Sequence, residues 1–193
     1  QRSDFLNRST ARLRSLLTMV NDLLDISRIE LNTVKREIVK IDLASLVQET
    51  VEMMQFEAAK KNITIKFSAG EIPFTIEADR LEIERVITNL MSNAVKYNKT
   101  DGEVLVSLKK KGAYIILEIK DTGIGLKPEE KNRLFSEFFR AKNEFTKSIH
   151  GTGLGLSIVK KTIDYYSGKI ESESEYGKGT TFRVFLPEKI LNK

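Results

Sequence analysis

The chemistry this sequence offers rests on two side-chain amides, a carboxylate and two glycine-rich turns. Asn89 and Asn93 stand one helical turn apart in Asn89-Leu90-Met91-Ser92-Asn93-Ala94-Val95-Lys96-Tyr97. Lys96 and Tyr97 continue the same helical face at i+7 and i+8. Amide oxygens are hard ligands of the kind Mg²⁺ takes when it shares a site with phosphates, and a lysine one turn on can neutralise phosphate charge. The same residues also fit an ordinary polar helix face, because amides on helices mostly solvate or cap.

Three further clusters follow. Asp121-Thr122-Gly123-Ile124-Gly125-Leu126 comes directly after an expected strand at 114–120. A carboxylate there can accept the exocyclic amine of adenine, and the two glycines permit a sharp turn and close backbone approach. A plain Asp-Gly turn is the alternative. Gly151-Thr152-Gly153-Leu154-Gly155-Leu156-Ser157 leads into an expected helix. Such an entry presents backbone N–H groups and the positive dipole end to phosphate. Its spacing is not G-x-G-x-x-G, no strand directly precedes it, and no Gly-Lys-Ser/Thr follows, which argues against dinucleotide folds and Walker loops. A hinge loop is its alternative. In Leu134-Phe135-Ser136-Glu137-Phe138-Phe139-Arg140 the aromatics suit a core, whereas Arg140 can reach a terminal phosphate and stabilise charge during transfer.

The elements that must position these residues follow from periodicity and caps. Residues 3–30 form one amphipathic helix with Leu6, Leu13, Leu16, Leu17, Val20, Leu23, Leu24 and Ile26 on its apolar side. That stripe calls for a partner helix or a second copy. Residues 31–41 read as a connection, with a short strand at 34–41. Asp42 caps a helix over 43–61. Strands follow at 63–67 and 74–77. Asp79 with Glu82 opens the helix that carries Asn89 and Asn93. Residues 104–109 and 114–120 form a hairpin. Pro128 starts a helix with Glu129 and Glu130 at its positive end. A helix over 154–167 stops at Gly168, and 169–174 with 181–186 form a last hairpin. This order predicts an α+β fold, a two-layer α/β sandwich of helices over a mixed, largely antiparallel sheet.

Composition bounds the rest. The 193 residues are 40% hydrophobic and 31% charged, enough for one ordinary domain with an appendage. With no cysteine, disulfides and thiolate metal sites are excluded, and one histidine excludes a multi-His metal site. The charge of +5 is spread along the chain, and Lys109-Lys110-Lys111 before Gly112 reads as a solvated turn, so no nucleic-acid partner is expected. No apolar run approaches the roughly 20 residues that span a bilayer. The chain opens on Gln1 and reads as a segment of a longer protein, cytoplasmic, with any membrane contact made by regions outside it.

Taken together the four clusters resemble the N, G1, F and G2 boxes of sensor histidine kinases of two-component systems, at Asn89–Tyr97, Asp121–Leu126, 135–139 and 151–156. Gly177-Lys178-Gly179-Thr180-Thr181-Phe182 resembles that family's last glycine motif. Val20-Asn21-Asp22-Leu23-Leu24-Asp25-Ile26-Ser27-Arg28-Ile29-Glu30 resembles the end of the second helix of the dimerisation and phosphotransfer domain. The resemblance divides the chain into a partial phosphotransfer helix at 1–34, a linker at 35–41 and a catalytic ATP-binding domain at 42–189. It implies ATP and Mg²⁺ as cofactors, with Asn93 and Asn89 as metal ligands and Lys96 and Tyr97 beside the phosphates and nucleotide. Asp121 would read adenine on a wall shaped by Gly123, Gly125 and Leu126. Arg140 would contact phosphate. Gly153, Leu154, Gly155 and Leu156 would end a mobile lid at about 127–152, and Thr180 or Thr181 would line the adenine pocket. Asn93, Lys96 and Arg140 would carry the catalytic roles.

The resemblance further implies a homodimer in the full-length protein and transfer of the γ-phosphoryl group to a histidine, then to an aspartate of a response-regulator receiver domain. The family's acceptor sequence, His-Glu-Leu-Arg-like and followed by Pro, is not present; the single histidine is His150, read as a solvated lid residue. The chain is therefore expected to bind Mg·ATP without completing its own phosphorylation. Gyrase- or chaperone-type ATPases share the fold but place a glutamate one turn before the metal-binding asparagine, where Asn89 stands here. A non-catalytic pseudokinase scaffold is the third reading.

Overall fold

The computed structural model describes residues 2–31, 33, 35–141, 145–146, 149 and 151–189, with the backbone alone for residues 2–8, 11, 14 and 15. His150 and Val34 lie outside the described residues, as does the side chain of Leu6. In chain order the elements are α1 (Arg2–Glu30), β1 (Ile38–Asp42), α2 (Leu43–Ala59), β2 (Thr64–Ala69), β3 (Thr75–Asp79), α3 (Arg80–Lys96), β4 (Glu103–Lys111), β5 (Tyr114–Asp121), α4 (Pro128–Lys131), α5 (Gly155–Tyr165), β6 (Lys169–Glu175) and β7 (Gly179–Pro187).

Strict alternation sorts the residues of the main sheet onto two faces. Val104, Val106 and Leu108 of β4, Ile115, Leu117 and Ile119 of β5, and Phe182, Val184 and Leu186 of β7 all point into the core. The opposite face carries Glu118, Arg183 and Glu173, joined by ion pairs of 2.6 and 2.7 Å across three neighbouring strands. The strand order is β2-β4-β5-β7-β6. Only β2 and β4 run parallel; the other pairs are antiparallel, including both expected hairpins. The core side of the sheet is covered by α2, α3 and α5, whose buried residues join the same hydrophobic cluster. This is the expected two-layer sandwich.

The short strand expected within the connection at 34–41 forms later, over Ile38–Asp42. This strand, β1, pairs antiparallel with β3 in a separate two-stranded ribbon. Arg36 fixes the approach. Its Nε donates to both Glu82 oxygens at 2.9 and 3.0 Å, and its guanidinium stacks 3.5 Å from the Tyr165 ring centroid. Tyr166 completes the cluster: its hydroxyl donates to Glu82 at 2.5 Å and accepts from the Asp79 N–H at 3.0 Å. Burial and the Glu82 carboxylate push the Tyr166 hydroxyl far above its ordinary pKa, so it stays a donor. Asp79 in turn caps α3 through Leu81 N–H and Glu82 N–H.

Among the described residues, helix α1 meets the rest of the chain along its C-terminal half, from Thr18 to Glu30. Ile26 is buried against Leu154 and Ile158 with Ile29 beside it, Asp22 and Asp25 both pair with Arg85, and Glu30 pairs with Lys161. Leu13, Leu16, Leu17, Val20, Leu23 and Leu24 are exposed. Ile26 therefore belongs to the docking face and not to the stripe in which its spacing placed it. Among the described residues no helix is long and apolar enough to cross a membrane.

The Arg36 side chain is only 4% exposed, so truncating it strands a charged partner. Arg36→Ala is expected to lower the unfolding free energy by about 3 kcal/mol, read as a shifted denaturant midpoint. Lys60→Ala, which removes an exposed pair with Glu57, should cost under about 1 kcal/mol.

Candidate functional site

Helix α3 places the amides. Its buried face runs Ile83, Val86, Ile87, Leu90, Met91, Ala94 and Val95, which leaves Asn89, Ser92, Asn93 and Lys96 turned away from the sheet. They form one wall of a cavity of about 490 Å³. Lys61 closes the helix by donating to the carbonyls of Lys96 at 2.7 Å and Val95 at 3.3 Å, a cation at the negative dipole end.

The turn after β5 forms a second wall. Asp121 is 8% exposed, and its Oδ1 accepts from Gly123 N–H at 2.8 Å and Thr180 N–H at 3.2 Å. Burial raises its carboxyl from the ordinary 3.8 to about 6, against the two backbone donors, which favour the charged form. The turn is knitted to its surroundings by backbone. Ile124 N–H donates to Tyr97 O, Gly177 N–H to Ile124 O, and Leu126 N–H to Ser174 Oγ. Gly125 has φ +61°, and a Cβ there would run into the Glu175 carbonyl. No side chain fits that position.

The Gly-rich loop supplies a third wall. A Cβ on Gly151 would meet Lys96 Nζ at 2.7 Å, and one on Gly155 would meet Asn89 Oδ1 at 3.1 Å. Gly153 is left-handed at φ +77° and passes tightly over Phe138 and Phe139. The loop backbone thus lies directly on the polar face of α3. Lys96 is held below its ordinary pKa by burial, then by Arg140 and Lys61. Cations crowded in this way gain most from an anionic ligand. Arg140 donates to Ile149 O at 2.5 Å from the cavity edge.

Of the residues singled out by sequence, Asn89, Asn93, Lys96, Tyr97, Asp121, Gly125, Leu126, Arg140, Gly153, Gly155, Leu156 and Thr180 line this one cavity. Gly123 and Leu154 do not. Gly123 is buried under the Tyr97 carbonyl, and Leu154 is fully buried against Ile26 and Ile158. Thr181 is not on the wall; Thr180 and Phe182 are. The sequence reading missed Thr18 and Asp22 of α1, Thr146 and Thr152. Thr152 donates to Asp22 Oδ2 at 2.8 Å across 130 positions of chain, a contact that no local pattern signals.

The cavity is lined by a buried acid and, with no charge interaction between them, by crowded cations beside loop backbone, which suits a molecule with an amine-bearing ring and a phosphate tail. Among the described residues no three His, Cys, Asp or Glu side chains gather as a metal site. The donors that fit a cation are the amide oxygens of Asn89 and Asn93, a hard but sparse set of the sort Mg²⁺ completes with phosphate oxygens and water.

Residues 78–190 match the family described as histidine kinase-, DNA gyrase B- and HSP90-like ATPase. The chain belongs to that family. Within this ATPase family it is similar to the circadian input-output histidine kinase CikA of Synechococcus elongatus, 31% identical over 91% of this chain and 24% of that protein. It is also similar to the sensor histidine kinase RcsC of Escherichia coli, 32% identical over 89% of this chain and 18% of that protein. The chain therefore spans a quarter or less of the length of these relatives. Among solved structures it resembles full-length ShkA in complex with AMPPNP, with TM-score 0.77 and 28% identity over 89% of this chain and 35% of that one. It also resembles histidine kinase ThkA in complex with the response regulator TrrA, with TM-score 0.77 and 26% identity over 98% of this chain and 52% of that one. The fold and the ATP-binding catalytic domain of sensor histidine kinases are thus common to all of them.

Because the folded Asp121 carboxyl titrates above the unfolded one, it binds more protons than the unfolded chain between 3.8 and about 6. Its contribution to stability is therefore fully present at lower pH and is lost as pH rises to about 6, by up to about 3 kcal/mol, with no further change above. Asp121→Asn is expected to remove this slope in denaturant melts run across pH 4–8.

Proposed function

We propose that this chain is the catalytic unit of a sensor histidine kinase. It binds Mg·ATP in the cavity between α3, the Asp121 turn and the Gly-rich loop, and presents the γ-phosphoryl group to a histidine outside these residues. A response-regulator aspartate then receives it, as the assembly of ThkA with TrrA suggests. The observation that carries this reading is the mixed lining of the cavity, which holds the buried Asp121 carboxylate and, with no charge interaction to it, Lys96 with Arg140 beside the loop backbone.

The roles follow from chemistry. Ionised Asp121 accepts from the purine amine through Oδ2, the oxygen its backbone donors leave free. Asn89 and Asn93 would hold Mg²⁺, which would supply positive charge to the phosphates. Lys96 and Arg140 neutralise phosphate charge, and Arg140 favours the charge that builds on the transferring group. Tyr97 and Thr180 border the nucleotide. Gly153 and Gly155 let the loop lie close enough for its N–H groups to reach phosphate. ShkA was captured with AMPPNP, and this likeness supports a nucleoside triphosphate as the occupant.

Residues 1–34 are read as the end of a dimerisation and phosphotransfer domain, 35–41 as its linker and 42–189 as the catalytic domain. The exposed leucines of α1 are the surface on which a second copy would pack to form a homodimer. A unit that uses ATP and serves a response regulator works on the cytoplasmic side. The gyrase-type alternative needs a general base for water one turn before Asn93, and an amide, Asn89, cannot serve.

Titration with AMPPNP tests the reading. Binding in the micromolar-to-millimolar range should require Mg²⁺ and weaken as pH falls below about 6, where Asp121 takes up its proton. Asn93→Ala and Asp121→Asn should each weaken binding by at least about tenfold. Absence of Mg-dependent binding, or rapid ATP turnover by the chain alone, would contradict it.

A further inference from the structure

Among the described residues a side-chain hydrogen bond joins α1 to the Gly-rich loop close to the Lys96 cation, and the hydroxyl that makes it has its single proton committed. Thr152 Oγ1 accepts from Leu154 N–H at 3.2 Å, and its single proton goes to Asp22 Oδ2 at 2.8 Å. The other Asp22 oxygen pairs with Arg85 at 3.0 Å. Both Thr152 and Asp22 line the cavity, and Gly151, the residue before Thr152, abuts the Lys96 ammonium. Phosphate oxygens in a nucleotide are acceptors only, so a hydroxyl with one proton serves either the phosphate or Asp22.

We propose that Asp22 is an internal stand-in for a nucleotide phosphate: docked α1 places its carboxylate where a phosphate oxygen would accept from Thr152. Docking of α1 and binding of the triphosphate then oppose each other, once through the shared proton and again through repulsion between two anions. Arg85 makes the docked state tolerable by pairing with Asp22, and it also holds Asp25 of the same helix, while Ile26, seated on Leu154 and Ile158, supplies the apolar grip. Leu154 lies two residues past Thr152, so releasing the helix and freeing the loop hydroxyl are one event. By linkage, whatever lifts α1 from α5 raises affinity for the triphosphate, and the triphosphate loosens α1 by the same factor.

The proposal rests on the cavity being a nucleotide site, and the test separates the two. Calorimetric titrations of the 193-residue chain compare Mg·AMPPNP with adenosine, which has the purine amine but no phosphate. Asp22→Ala is expected to tighten AMPPNP by about fivefold or more and to leave adenosine unchanged. Asp22→Asn, which keeps the shape and removes the charge, should act in the same direction with smaller effect. In a Thr152→Val background most of the Asp22→Ala gain should vanish, because the contested proton is gone. Hydrogen exchange at residues 22–29 should rise when Mg·AMPPNP is added. Unchanged or weaker AMPPNP binding in both Asp22 variants overturns the proposal and leaves the nucleotide site standing; so does a gain that survives in full without the Thr152 hydroxyl. Failure of the parent chain to bind either ligand overturns the nucleotide site itself, and the proposal with it.

Discussion

Helix α3 must be dry on one side and polar on the other, and most of the architecture follows from that division. Its apolar residues at 83, 86, 87, 90, 91 and 94 keep helical spacing and join the sheet's inner face in one core. The intervening positions 89, 92, 93 and 96 must then face elsewhere, and the fold builds a cavity there instead of open surface. Rotating α3 so that this polar face met the sheet would bury amides and a lysine against apolar side chains and leave them unpaired. Packing and site geometry are therefore set by one constraint. The Asp79 cap, the Tyr166–Glu82–Arg36 cluster and Lys61 fix the ends of that helix and so its rotation.

Within the cavity burial acts on opposite charges. Removal from water penalises the Asp121 carboxylate and the Lys96 ammonium alike, so each gains from a ligand of complementary character. An amine donor suits the first and a phosphate suits the second. The glycines let backbone close in on both. At Gly125 and Gly179 a Cβ would strike neighbouring carbonyls, and at Gly151 and Gly155 it would press on the Lys96 ammonium and the Asn89 amide.

Much of this was legible in the sequence because the signals were local. Amide spacing on a helix, Asp-x-Gly-x-Gly after a strand and glycines before a helix each lie within ten residues, and the elements carrying them follow from alternation and caps. What was hidden depends on distant partners. Arg36 sits in an unremarkable stretch, and its role appears only when Glu82 and Tyr165 come together around it. Leu154 looks like part of a phosphate loop, yet its side chain is core to a small cluster with α1. Ile26 follows the exposed stripe in spacing but docks on the other side, because the register of α1 on α5 is not written in α1 alone.

The same non-local contacts make α1 a wall of the cavity and not just an appendage. Asp22 and Thr18 line the cavity from outside the 78–190 span that matches the family, so the cavity wall and the helix position share atoms. The most direct test of the central claim is a crystal structure of this chain with Mg·AMPPNP. The account predicts the purine amine within hydrogen-bond distance of Asp121 Oδ2, Mg²⁺ on the amide oxygens of Asn89 and Asn93, and the phosphates between Lys96, Arg140 and the 151–155 backbone. A nucleotide bound elsewhere, or with its phosphates toward Asp121, would contradict it.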